Sequence, residues 1–416
     1  MPATRSLLWV NHFAVAPVDG GGTRHVEIAR ELVRRGWQVT IAASDFHLHS
    51  RGYTRRRGPS DRSVIRERVD GVEIDWLWAA PYSRNDWRRA LNWLTFSRSV
   101  TWWRPAPGGR QPNVIIGSSP HLLAAAASLR LARRLGVPFL FEVRDLWPES
   151  LLAAGGRKGL LYYALDAIAR RLYRSSDRII VLAQGVGEYL ATRGVPRSQI
   201  VYVPNGADVD PAPSRPRQAD GSRLTAVYAG AHGPANGLDT VVDAAALLRD
   251  DPRIRFLLVG DGPSKNDLVA RARARSLTNM EFREPVPKDQ VAALLLAADL
   301  GLMVLRDAPL FSFGVSPNKL FDYMAAGLPI VCNVPGEVAD ILRQAGSGVQ
   351  ATDSSPEALA SAVRRVAALD PAARSALGAA GRSWVVANNS REALAARVDE
   401  ALRPLVGDPV TTSAMR

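Results

Sequence analysis

Phe311-Ser-Phe-Gly-Val-Ser-Pro-Asn-Lys-Leu-Phe-Asp-Tyr-Met-Ala-Ala-Gly-Leu-Pro-Ile-Val-Cys332 is the stretch that organises the chain. A turn rich in Gly, Ser and Pro leads into residues 318–326, where Leu320, Phe321, Tyr323 and Met324 are spaced for one buried helix face. Gly327 and Pro329 stop that helix, and Ile330-Val331 reads as a short strand. Ser316 is expected as the N-cap, with Pro317 at the first helical position. A helix start of this kind offers free backbone N–H groups to an anion such as a phosphate. Lys319 falls in the first turn and Asp322 one turn further on. An ordinary loop–helix–strand unit would carry the same pattern.

Working outward, the same strand–loop–helix alternation fills the second half. Residues 224–229, 255–259 and 300–304 are apolar strands, and the first two run into Gly230-Ala-His-Gly233 and Gly260-Asp-Gly-Pro263. A Pro/Arg/Ser-rich segment at 206–223 precedes them and reads as a linker. Its Asp208-Val-Asp210 has no third ligand in view and is not taken as a metal site. The chain after Gly336 is helical, with a long apolar-periodic tail from 356 to 405.

The first half opens with Leu7-Leu-Trp-Val10, a loop ending in Gly20-Gly-Gly-Thr23, a helix and a second strand at 38–42, as doubly wound folds begin. The glycines miss the dinucleotide fingerprint, because His25 stands where its last glycine belongs. Residues 51–68, with Arg55-Arg-Arg57 at the centre, read as a solvated basic loop and carry no nucleic-acid-binding motif. Residues 86–103 interleave Trp87, Trp93, Trp102 and Trp103 with arginines, which fits either an interfacial membrane helix or a core helix with a basic outer face. Strands at 114–117 and 138–142 end in Ser118-Ser-Pro-His121 and Val143-Arg-Asp-Leu-Trp-Pro-Glu149, at the sheet edge where open α/β folds place their sites; His12 follows the first strand in the equivalent location.

Composition bounds the rest. With 416 residues, 47% apolar and 22% charged, the chain has material for two globular domains. One cysteine, Cys332, excludes an internal disulfide and any multi-cysteine zinc site, and its place after an apolar strand makes it a core residue. The net charge of +13, with only four lysines among 53 basic residues, favours anionic partners: nucleotides, phospholipid headgroups or nucleic acid. No apolar run spans a bilayer and no signal-peptide core precedes the first strand, so the expected location is cytoplasmic, peripheral on the inner face of the plasma membrane.

Five stretches together resemble one family: Glu142-Val-Arg-Asp-Leu-Trp-Pro-Glu-Ser150, Val203-Pro-Asn-Gly-Ala-Asp208, Tyr228-Ala-Gly230 with Gly237-Leu-Asp239, Val259-Gly-Asp-Gly-Pro263, and Ser316 to Gly327. The chain is similar to GT-B-fold retaining glycosyltransferases of family 4, and among them to bacterial L-fucosamine transferases of surface-polysaccharide synthesis. The resemblance implies an α/β fold of two doubly wound, Rossmann-like domains facing a cleft: 1–205 for the acceptor, a linker at 206–223, 224–385 for the nucleotide sugar, and 386–416 returning to the first lobe. It implies a nucleotide-diphosphate sugar donor, a UDP-sugar of N-acetylated hexosamine type. The implied acceptor is a lipid-linked glycan or saccharide, with no metal or other cofactor. An anionic membrane surface against residues 87–103 is a further expected partner; nucleic acid is not.

The family has two acidic residues eight positions apart in the opening stretch; Asp322 matches the second, on the ribose, and Gly314 stands at the first. The family's Arg/Lys pair on the diphosphate falls near Ala231 and Asn236 and is absent. The donor set implied here is Gly230, His232, Asn236, Gly260, Gly314, Val315, Ser316, Asn318, Lys319 and Asp322. Lys319, Arg144 and Asp145 are the candidate catalytic residues, the last two standing where the family often has His–Asp. Gly21, Gly22, Thr23, His12 and Glu149 are the candidate acceptor residues. Two other classes fit the same fold: a nucleotide-sugar 2-epimerase or hydrolase, and a non-catalytic nucleotide-sugar binder.

Overall fold

The computed structural model describes residues 5–19, 23–48, 50–84, 86–153, 156–209, 223–307 and 313–407. The chain divides into two units, Met1–Pro204 with Leu394–Arg416, and Asn205–Ala393. The expected linker lies mostly at 210–222, outside the described residues, as does Asp210.

Unit 1 holds an eight-stranded sheet in the order β10-β9-β8-β7-β1-β2-β6-β5. Its strands are β1 (Arg5–Val10), β2 (Trp37–Ser44), β5 (Ile65–Val69), β6 (Val72–Leu77), β7 (Val114–Ser118), β8 (Phe139–Val143), β9 (Arg178–Val181) and β10 (Ile200–Tyr202). All pair parallel except β5, an edge strand antiparallel to β6. A short hairpin, β3 (Phe46–His47) with β4 (Gly52–Tyr53), follows β2. The helices are α1 (Arg24–Arg34), α2 (Trp87–Thr101), α3 (Leu122–Leu135), α4 (Glu149–Ala153), α5 (Leu160–Ser175) and α6 (Gln184–Thr192). The central strands are apolar runs buried on both faces, as a parallel sheet covered by helices requires.

Unit 2 holds a six-stranded, wholly parallel sheet in the order β13-β12-β11-β14-β15-β16. These are β11 (Leu224–Ala229), β12 (Ile254–Val259), β13 (Met280–Arg283), β14 (Leu300–Met303), β15 (Ile330–Cys332) and β16 (Gly348–Gln350). Around it lie α7 (Leu238–Leu247), α8 (Lys265–Ala274), α9 (Lys288–Leu296), α10 (Asn318–Ala325), α11 (Glu337–Ala345), α12 (Pro356–Ala367) and α13 (Pro371–Asn388). The apolar tail read from the sequence is three helices, α12, α13 and then α14 (Arg391–Val406). Leu394, Ala395, Val398 and Leu402 of α14 belong to the core of unit 1, and the Trp37 indole donates to Asp399 at 2.8 Å. The expected doubly wound fold and the returning C-terminal helix are both present.

In an open parallel sheet a ligand binds beyond the strand ends where the strand order reverses. In unit 2 that point lies between β11 and β14, and in unit 1 between β1 and β7.

Most of the basic stretch 51–68 is exposed, Arg57 and residues 59–64 among it, but Arg55 and Arg56 are not solvated as their charge suggests. Asp45, just past β2, accepts hydrogen bonds from the amides of Thr54, Arg55 and Arg56 and from the Arg56 guanidinium at 2.7 Å. Arg56 and Asp45 are both buried, and Arg55 bridges Asp19 and Glu67. Burial alone would raise the Asp45 carboxyl, but these donors hold it below its ordinary value. Helix α2 has two faces: Asn92, Phe96 and Val100 are buried, while Trp87 and the following Trp102 are 69% and 61% exposed. No helix among the described residues is long and apolar enough to cross a membrane.

Candidate functional site

At the reversal point of unit 2 the loop after β11 meets α10. Tyr228, the penultimate residue of β11, donates its hydroxyl to the Ala231 carbonyl at 2.9 Å and accepts from the Lys319 ammonium at 3.1 Å. Lys319 also donates to Asn236 Oδ1 at 3.2 Å and lies 4.7 Å from the Tyr228 ring centroid. A Cβ placed on Gly230 would touch the Lys319 side chain at 3.4 Å. So Lys319, 83 residues beyond Asn236, converges with Asn236 and Gly230 of the loop after β11, and Tyr228 joins them. Burial lowers the Lys319 amine from 10.5 to about 8.

Beneath this group the loop after β12 packs on the loop after β11. A Cβ on Gly260 would fall 1.9 Å from the Gly230 carbonyl oxygen, so only glycine permits this approach. His232 is fully buried, and neither ring nitrogen has a hydrogen-bond partner among the described residues. Its backbone bonds to Asp261 and Ser264, and burial, with Lys265 nearby, holds the imidazole neutral. His232 therefore lies under the glycine loops as a neutral ring.

The start of α10 differs from the expectation. Pro317, extended at φ −75 and ψ 127, is the N-cap, and no side chain caps the helix. The Ser316 hydroxyl is occupied elsewhere: it accepts from the Asn205 amide at 2.7 Å, and the Asn205 side chain donates to the Ser316 carbonyl. Asn205 is held in turn by Asn389 at 2.9 Å. The first-turn amides of α10, from exposed Asn318 and from Lys319, thus have no side-chain cap. Val315 and Asp322 are half-buried, and Asp322 sits in the second turn. Gly314 has φ 84, in the left-handed region that a side chain disfavours, so a carboxylate-bearing residue at that position would be strained. Asn333 braces the loop after β14 by accepting from the Leu305 amide at 3.0 Å and donating to its carbonyl at 3.1 Å.

At the reversal point of unit 1, His12 is not presented to a ligand as expected. It is buried, stacked on Phe13 and Phe96, with Nδ1 2.8 Å from His121 Nδ1. Burial lowers His12 to about 3 and His121 well below its ordinary value, so the pair shares one hydrogen bond between neutral rings. Glu142, at the end of β8, is the buried hub of this edge. It accepts from the Ser118 hydroxyl at 2.6 Å, pairs with His25 at 2.9 Å and lies 3.5 Å from Arg24 Nε. Burial would raise its carboxyl, but His25, Arg24 and Arg144 hold it well below the carboxylate range. Arg24 also donates to the carbonyls of Val203 and Pro204.

Ser119 fixes the segment beyond β8, its hydroxyl accepting from the amides of Arg144 at 2.8 Å and Asp145 at 3.1 Å. Among the described residues neither the Arg144 nor the Asp145 side chain makes a hydrogen bond or ion pair, and Asp145 is exposed. Glu149 is committed to Tyr189 and to Arg193 at 3.0 Å. Thr23, buried at the start of α1, donates to Glu27; Gly21 and Gly22 lie outside the described residues. Tyr228, Asn205 and Glu142 stand within the family-like stretches but not among the site residues read from them, and Asn333 stands outside those stretches. For Tyr228 the available signal was an aromatic at a strand end directly before Ala-Gly.

Residues 19–206 match the family model of the glycosyl transferase 4-like domain, and residues 223–369 that of glycosyl transferases group 1. A protein of Escherichia coli K12 named as a colanic acid biosynthesis glycosyl transferase is 27% identical over 63% of this chain and 67% of its own length. A GDP-mannose-dependent phosphatidylinositol monomannoside mannosyltransferase of Mycobacterium tuberculosis is 26% identical over 57% of this chain and 64% of its own. The matched part of the chain thus spans about two thirds of these relatives. Sucrose-phosphate synthase from Thermosynechococcus elongatus shares the fold with a TM-score of 0.70, at 19% identity, covering 96% of this chain and 99% of that one. An Anabaena protein solved with UDP and glucose does so at 0.64, with 14% identity, over 95% and 98%.

Proposed function

The chain belongs to the family 4-like glycosyltransferases, and from that premise we propose that it moves a sugar of N-acetylated hexosamine type from a UDP donor to a lipid-linked glycan or saccharide in cell-surface polysaccharide synthesis. Configuration at the transferred carbon is retained and no metal takes part. The observation that carries this reading is the convergence of Lys319, Tyr228 and Asn236 against Gly230 at the reversal point of the unit 2 sheet.

Glycosyl transfer ends with a nucleoside diphosphate leaving, and its charge must be met as it develops. A fixed cation with uncapped helix amides beside it meets that need, because donors held in place cost no reorganisation during reaction. Lys319 and the first turn of α10 fill this role, with Asp322 on the ribose. Arg144 and Asp145, whose side chains make no hydrogen bond among the described residues and act on each other, and Arg144 on Glu142, only through their charge, are assigned to the acceptor hydroxyl in unit 1. UDP in the Anabaena structure and the biosynthetic names of relatives, colanic acid in Escherichia coli and teichuronic acid in Bacillus subtilis, support the donor and the setting. An anionic membrane surface facing α2 is the partner that brings the protein to a lipid-linked acceptor.

A thermal-shift panel of UDP, GDP and their sugars tests the donor assignment, because a ligand that binds only the native state raises the melting temperature. UDP and a UDP-hexosamine should stabilise the protein, and Lys319→Ala should abolish the shift. Stabilisation by GDP alone would replace the base, and no shift with any nucleotide would end the reading. Turnover unchanged by a chelator is expected.

A further inference from the structure

At the reversal point of unit 1, aromatic rings form a series from the core to the surface. His12 stacks on Phe96 with centroids 4.1 Å apart and lies 4.8 Å from the His121 ring. His121 lies 5.0 Å from Trp93, and Trp93 lies 6.4 Å from Trp147 at an interplanar angle of 85°. The two histidines are buried, whereas both tryptophans are half-buried. Close packing of each ring on the next holds the two indoles at the surface end in place.

The chain around Trp147 is anchored on both sides. The Ser119 hydroxyl grips the amides of Arg144 and Asp145, and Leu146 and Pro148, which flank the indole, are buried. A buried indole N–H usually finds an acceptor. Trp9 donates to Ser118 and Glu142, Trp37 to Asp399 and Trp103 to Asp75. The N–H groups of Trp93 and Trp147 have no hydrogen-bond partner among the described residues. Arg89 lies over the Trp93 ring at 5.3 Å, but Trp147 meets no cation and no ring besides Trp93 among those residues. At least one face of Trp147 therefore has no such partner. An aromatic face with unused donors, on the same loop as a carboxylate, matches what a pyranose ring offers. The negative face of the indole attracts the C–H bonds on one side of the sugar. The hydroxyls around the ring need acceptors and donors; exposed Asp145 supplies the first, and Arg144 and the indole N–H groups the second.

We propose that Trp147, backed by Trp93, is the platform for the terminal sugar ring of the acceptor. One C–H face of the sugar lies on the indole, and its hydroxyls reach Asp145 and the indole N–H groups. The proposal deepens the acceptor part of the function above and rests on it. It adds that the accepted molecule already ends in a sugar, so the reaction that supplies it must itself have attached one.

The test uses the full chain and a panel of methyl glycosides, read by saturation-transfer NMR. At least one glycoside should bind, with saturation strongest on its ring C–H protons. Its affinity should fall about tenfold in Trp147→Ala and stay within about threefold of the parent in Trp147→Phe, which keeps an aromatic face without the N–H. The melting temperature and the shift induced by UDP should match those of the parent in both variants. If Trp147→Ala melts lower, the parent labelled with fluorinated tryptophan gives the answer. The resonance that Trp147→Phe removes should move with the glycoside, and an unmoved resonance overturns the platform. No binding by any glycoside, or equal binding by Trp147→Ala at the parent's melting temperature, also overturns it. Uridine bound in the glycoside's place would do the same, giving the ring to the nucleobase. Transfer to a lipid phosphate that carries no sugar would overturn the need for a terminal sugar. A glycoside bound with no UDP shift keeps the platform and ends the donor reading instead.

Discussion

The Lys319 ammonium lies 3.1 Å from the Tyr228 hydroxyl and 4.7 Å from the centroid of the same ring, so one aromatic side chain holds the cation by its edge and its face together. The hydroxyl proton is already committed to the Ala231 carbonyl, which leaves the oxygen free to accept from lysine. Lys319→Ala should therefore lower turnover by about 10²- to 10³-fold, the range seen when a preorganised charge-stabilising donor is removed. Circular dichroism and the melting temperature should stay near those of the parent. Near-normal turnover would remove Lys319 from the mechanism.

The lowered amine value of Lys319 sets a pH dependence. With burial bringing it from 10.5 to about 8, the folded protein sheds this proton before the unfolded chain does. Above about pH 8 the cation disappears, so donor binding should weaken between pH 7 and 9. In Lys319→Arg the same profile should be flat, because a guanidinium stays charged. Between pH 8 and 10.5 the unfolded chain binds more protons at this site, so its contribution to stability rises with pH there. Calorimetric titration with UDP across pH 7–9 reads the binding profile directly.

The buried His12–His121 pair makes the fold sensitive to mild acid. Both rings stay neutral when folded, His12 down to about 3, whereas in the unfolded chain they protonate near 6.5. The unfolded state therefore binds the extra protons as pH falls through 6.5. Stability should decline below that point by on the order of 1.4 kcal/mol per pH unit for each histidine. Urea unfolding between pH 6.5 and 5 lies above the ordinary carboxylate range and reads this slope together with that of the other buried histidines, His25 and His232. Replacing His121 by Asn should remove about one histidine's share of the slope.

Arg56 and Asp45 form a fully buried ion pair at 2.7 Å, in which the carboxylate also takes three backbone amides. Arg56→Ala leaves that charge without its cation and should destabilise the protein by about 3–5 kcal/mol. Arg57→Ala, next in the chain and exposed, should cost little. Equal effects of the two substitutions would return the stretch to a solvated loop.

How much of this could be read from the residues depended on whether the deciding contact was local. The buried face of α10 follows from 3.6-residue spacing, and Cys332 falls in a strand because Ile330 and Val331 precede it. In that strand, burial pushes the thiol up to about 12. The glycine loops at strand ends likewise marked the sheet edges. Ser316 looked like an N-cap because its neighbours suit one; its actual partner, Asn205, lies 111 residues away. His12 was assigned to the acceptor from its place after β1, and only the fold brings Phe96 and His121 over it. Arg55-Arg56-Arg57 read as solvated because nothing nearby in the chain shows that Asp45 waits at the base of the hairpin. Tyr228 reads as a strand-core aromatic until Lys319 is seen above it.

The seat of α14 in the core of unit 1 has a consequence for how the protein is made. Residues 1–204 contain the whole eight-stranded sheet, yet Leu394, Ala395, Val398 and Leu402 complete the core that packs on it. During synthesis the surface these four residues cover stays exposed while the intervening Asn205–Ala393 segment is translated. At ~5–20 residues per second this leaves roughly 10–40 s in which that surface of the earlier-made unit is open to chaperones.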